Sequence, residues 1–124
     1  VVAAMGNDGT NCLNYPAGYD NVIGVVSVDR TNNRASGSSY GTWGDVAAPG
    51  ADIWSTYYNG SYWPKSGTSM ATPAVAGAAA LLLEKYPQME NVEVKMRLWE
   101  SGDDMNMPEG SQGHGRINIE KFLK

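Results

Sequence analysis

The chain is poor in the residues that most often anchor chemistry. One cysteine, Cys12, among 124 residues excludes an internal disulfide and any cysteine-built metal site. It leaves the compartment open, because many secreted proteins have no disulfides. A single histidine, His114, leaves one candidate for any step that needs an imidazole. Charged residues make up 18% and the net charge is -4, so there is no basic surplus to hold nucleic acid or an anionic membrane. Long apolar runs are missing too: the longest, Ala74 to Leu83 with Gly77 inside it, falls short of the roughly 18 residues that span a bilayer. That run reads as a buried helix. The opening "VVAAMG" has no polar lead-in and no signal-peptide pattern. It reads as a fully buried strand, as expected of a chain that begins inside a larger fold.

What is present suffices for one globular domain over residues 1–124: 42% apolar residues, and 15 glycines for tight turns. The spacing predicts buried strands over Val1–Gly6 and Asn21–Asp29, and a short one in "DVAAPG" that ends at Pro49-Gly50. β-forming residues on both sides of Asn59-Gly60 predict a hairpin. A helix follows from about Thr68 to Tyr86, stopped by Pro87. A second, about Val92–Glu100, reads as amphipathic through Val92, Met96 and Trp99, and Arg116–Lys124 as a terminal turn or short helix. Strands followed by helices make an α/β chain with a parallel sheet.

The chemistry centres on "SGTSMATPAVAG". Gly67 permits a sharp bend and Ser69 falls in the first helical turn, where free N–H groups and the helix dipole favour negative charge. A tetrahedral intermediate of acyl transfer develops such a charge. Pro73 is tolerated so near the helix start. A serine there also suits plain helix capping, and Asn7 in "GNDG" also suits a plain turn.

Five stretches decide between these readings. "GTSMATPAVAGAAALL" closely resembles the active-site serine signature of the subtilisin-like serine proteases. "VVAAMGNDG", "YPAGYDNVIGVVSVD", "ASGSSYGTWGDVAAPG" and "GHGRIN" resemble further segments of that family, in the family's order. The resemblance implies a subtilisin-like parallel sheet flanked by helices, C-terminal portion only, with the hairpin before the nucleophile helix. It implies a serine endopeptidase acting through an acyl-enzyme, with Ser69 as nucleophile and Asn7 as oxyanion donor. Ala4, Met5 and Gly6 would form one wall of the pocket for the substrate side chain, and Met70 would be open to oxidation.

The resemblance also implies a triad in the order Asp, His, Ser, whose Asp and His motifs precede the asparagine and so lie upstream of Val1. His114, in the closing turn, is not expected to replace the missing base. Ala74 stands where the family often has a second, non-catalytic histidine. No cofactor is expected for the chemistry. A weak Ca²⁺ or Na⁺ site is implied at Asp45 with carbonyls near Ala17, Tyr19 and Val22, although Asp45 also suits a plain turn cap. The expected partners are a polypeptide substrate and the N-terminal part of the catalytic domain, at an extracellular location. The alternative is a non-catalytic binding or scaffold module. A G-x-S-x-G hydrolase is excluded because Ala71 fills the second glycine position. Asn59-Gly60-Ser61 fits a glycosylation sequon, but its turn chemistry accounts for it.

Overall fold

The computed structural model describes residues 1–124. Three parallel strands, β1 (Val2–Ala4), β2 (Ile23–Val28) and β3 (Val46–Pro49), form a sheet in the order β1-β2-β3. β2 is central and buried throughout, which is why its sequence is almost continuously apolar. β1 is shorter than expected and only Ala3 in it is buried, because β1 lies at the sheet edge with one neighbour.

The hairpin forms where the turn chemistry places it. β4 (Ile53–Thr56) pairs antiparallel with β5 (Tyr62–Lys65), and Asn59 and Gly60 both take positive φ between them. Its aromatics face solvent, with Trp54, Tyr58, Tyr62 and Trp63 all exposed.

Helix α1 (Thr68–Lys85) then packs along the sheet through Thr68, Ala71, Val75, Ala78 and Leu82, a stripe at helical spacing. Its other face, including Ala74, Gly77, Ala80 and Leu81, is exposed. The run expected to be buried is therefore buried on one side, since the sheet covers only that side. Helix α2 (Asn91–Ser101) buries Val94, Leu98 and Ser101 instead of the expected Val92 and Met96, which are each half exposed. Both sets have helical spacing, so periodicity does not separate them; docking against the core does. A capping box between Glu90 and Glu93 starts α2, and α3 (Ile119–Phe122) closes the chain.

The two sheet faces differ. Ile23, Val25, Val46 and Ala48 meet α1, α2 and Phe122 in one cluster, so all three helices share a face. Ala3, Met5, Val26, Val28 and Ala47 face a second cluster closed by loop residues, among them Ala17, Trp43 and Met105. Fully burying Leu82 or Leu98 contributes roughly 1.5–3 kcal/mol each to holding α1 and α2 in place.

Candidate active site

The end of β3 sets the position of Ser69. After Pro49 the chain turns out through the hairpin and returns, and the Gly67 N–H donates to the Gly50 carbonyl at 2.8 Å. Gly67 precedes α1 with φ 148° and ψ 167°, a backbone that side chains rarely adopt, and this bend aims the first turn of α1. Ser69 is the second residue of α1 and its side chain is exposed.

β1 brings Asn7 to the same place. Gly6 has φ 108°, again a glycine conformation, and it turns Asn7 toward the start of α1. Asn7 Oδ1 accepts from the Thr68 backbone N–H at 2.9 Å and from the Thr68 hydroxyl at 3.1 Å. The same hydroxyl oxygen accepts from the Gly6 N–H at 3.2 Å. Thr68 is fully buried, so its side of this lock is fixed by the core, while Asn7 reaches the surface. The lock fixes which end of the Asn7 amide faces the helix: the oxygen is used and the Nδ2 donor is left over.

A second donor is free beside it. The Thr68 N–H goes to Asn7, while Met70 and Ala71 both donate to the Gly67 carbonyl. The Ser69 N–H has no carbonyl to bond, as expected for an orphan of the first turn. Two unpaired donors, one backbone and one side chain, thus flank an exposed hydroxyl at a helix N-terminus. This arrangement can hold an anion or a developing oxyanion.

The expected pocket wall contributes backbone. Met5 is fully buried in the loop-side core, so its side chain faces away from any pocket. The Met5 N–H and carbonyl bond to Val25 and Asn14, and the Gly6 carbonyl accepts from the Ser39 N–H. Ala4, Met5 and Gly6 are a rigid surface whose polar groups from Met5 onward are already committed. Met70 is half-buried beside Ser69.

His114 lies elsewhere. Its N–H donates to the Asp45 carbonyl at the start of β3, and its ring stacks on Trp99 at 4.4 Å. Ser69 follows the opposite end of β3. The four residues of β3 alone put roughly 10 Å between the two ends.

At the start of β3, Asp45 is 4% exposed and its carboxylate is fully engaged. Oδ2 accepts from the Gly24 N–H at 2.7 Å and Oδ1 from Trp99 Nε1 at 3.0 Å, and Oδ1 forms an ion pair with Lys95 Nζ at 3.1 Å. Lys95 Nζ also donates to the Val22 and Asp20 carbonyls, each at 2.9 Å. The Tyr19 carbonyl accepts from the Val22 N–H within the loop turn. Of the residues expected to hold a cation, Ala17, Tyr19 and Asp45 line one cavity together with Lys95 and Trp99, and Asp45 and the Val22 carbonyl both meet the Lys95 ammonium. Lys95, Trp99 and Thr68 are not marked out as site residues by sequence. Thr68 stands within the serine motif, whereas Lys95 and Trp99 carry no local signal.

Known proteins share this fold. The model of the subtilase family matches residues 1–115. The chain belongs to the subtilase family. It is 48% identical to subtilisin DY of Bacillus licheniformis over 97% of this chain and 45% of that protein. It is 44% identical to thermitase of Thermoactinomyces vulgaris over the whole chain and 44% of thermitase. Among solved structures, the prenylagaramide maturation protease PagA superposes with a TM-score of 0.89 at 34% identity, covering 98% of this chain and 48% of PagA. This subtilase chain therefore spans less than half the length of these relatives, and it folds as a partial subtilase domain with a mixed α/β architecture. No helix in it is long and apolar enough to cross a membrane.

Proposed function

We propose that this chain carries the nucleophile and the oxyanion hole of a serine endopeptidase, with the Asp and His of the triad supplied by protein upstream of Val1. The observation that carries the reading is the pair of unpaired donors, the Ser69 N–H and Asn7 Nδ2, at an exposed serine in a glycine-aimed helix start. Ser69 Oγ attacks the scissile carbonyl of a polypeptide as the histidine takes the hydroxyl proton. The negative charge on the carbonyl oxygen is then held by the two donors, the Asn7 amide oriented by Thr68 and the Ser69 N–H by the helix start. The leaving amine departs with a proton from the histidine, and water hydrolyses the acyl-enzyme. Ala4, Met5 and Gly6 line one side of the substrate pocket through their backbone. No cofactor takes part. Extracellular action belongs to the same reading and rests on kinship with the subtilisins.

A fluorophosphonate probe tests it. Ser69 in this chain alone should stay unlabelled, because an unactivated hydroxyl is a poor nucleophile. The full-length protein should label at Ser69, and Ser69→Ala should not. Strong labelling of the isolated chain would show that the site is complete without a partner segment. An unlabelled full-length protein would make it a non-catalytic module.

A further inference from the structure

We infer that the Lys95 ammonium is the resident cation of the Asp45 site, built into the chain in place of a metal ion. The site is a cup of oxygens: the Asp20 and Val22 carbonyls and Asp45 Oδ1 all lie within 3.1 Å of Lys95 Nζ. The ammonium donates to the two carbonyls and pairs its charge with the carboxylate, so each of the three oxygens has a use for it. The charge balances as well, one carboxylate against one ammonium.

The alternatives fit the residues less well. Ca²⁺ takes six to eight oxygens at roughly 2.3–2.6 Å, and a single carboxylate cannot balance it together with the lysine. The Lys95 side chain is 14% exposed and is held over the Trp99 ring, with Nζ 5.5 Å from the ring centre, so it is not free to swing out. Trp99 in turn donates to the same carboxylate oxygen. α2 thus delivers both groups to the loop before β2 and the start of β3, and this tie clamps α2 to the sheet.

The test needs no knowledge of the protease activity. In full-length wild-type protein at constant ionic strength, the Tm should be the same in sodium, potassium and choline chloride. Lys95→Ala should lower Tm by on the order of 10 °C in choline chloride. Methylammonium or Na⁺ should restore several degrees of that loss in the variant, with no effect on wild type. Tb³⁺, an oxygen-seeking stand-in for Ca²⁺, gives a direct readout through indole excitation. Emission dependent on Trp99 should appear in Lys95→Ala, vanish in its Trp99→Phe double variant, and be absent in wild type. Trp99-dependent Tb³⁺ emission from wild type that Asp45→Asn abolishes would overturn the inference, even if the lysine variant fails to fold. So would a Lys95→Ala protein whose lost stability neither cation nor amine restores.

Discussion

The two ends of β3 each hold a polar cluster, and the two are built on opposite terms. At the N-terminal end, both charges are partnered: Asp45 accepts from Gly24 and Trp99 and pairs with Lys95, which donates to the Asp20 and Val22 carbonyls. At the C-terminal end, Thr68 locks the Asn7 oxygen, yet the Asn7 Nδ2 and the Ser69 N–H and hydroxyl are left open. A saturated buried network rigidifies a fold; a network saturated on one side and open on the other is preorganised for a ligand. Placing the open cluster at the C-terminal end of a parallel strand, before a helix N-terminus, also aims helix and side-chain dipoles the same way.

Changes at the open end should alter turnover far more than stability. Ser69→Ala should give the largest effect, a loss of roughly 10⁶-fold in kcat in the full-length protein, the size of loss that removing the nucleophile causes in a subtilisin. A Tm unchanged from wild type would accompany it, and residual labelling by the fluorophosphonate would place the nucleophile elsewhere. Asn7→Ala should slow kcat by roughly 10²–10³-fold, again the range found for a subtilisin oxyanion donor. It should also cost about 1 kcal/mol, because Asn7 caps the Thr68 N–H. A denaturation midpoint that collapses while kcat per folded molecule holds would make Asn7 structural.

Thr68→Val would test the lock itself. Without the hydroxyl, the Gly6 N–H loses its acceptor at a cost of roughly 1–3 kcal/mol, and Asn7 loses one of two tethers. The expected readout is a kcat about tenfold lower with KM little changed, recovered by Thr68→Ser. A rise in KM alone would assign Thr68 to substrate binding instead.

The smallest effect should come from a saturated cluster on the surface. The Asp103 carboxyl is held below its usual 3.8, first by the hydrogen bond from Lys121, then by Asn118 and the nearby positive charges. A lowered folded pKa favours the carboxylate in the native state. Its contribution is therefore present above about pH 4 and is lost as pH falls through the lowered value. Asp103→Asn should lie slightly below wild type in Tm near neutral pH, and the two curves should merge in acid. Parallel curves down to pH 2 would remove Asp103 from the acid response.

Much of this is legible in the residues because it is local chemistry. Asn59-Gly60 selects a turn with positive φ, Gly67-Thr68-Ser69 starts a helix, and the unbroken apolar pattern of Ile23–Val28 demands burial on both faces. The five motifs carry Ser69 and Asn7 in the same way. The buried stripe of α2 is not legible, because Val92/Met96 and Val94/Leu98 have equal periodicity and only the neighbouring sheet breaks the tie.

Sequence alone thus determined the strands, the hairpin, the family, and the positions of the motif serine and asparagine, all of which rest on short-range propensity or contiguous motifs. Tertiary structure alone decided what holds them. Thr68 reaches Asn7 across 61 positions, and Lys95 reaches Val22 across 73. Contacts at that separation depend on how helices dock on the sheet, and that is set by the packing of the whole core and by no local run of residues.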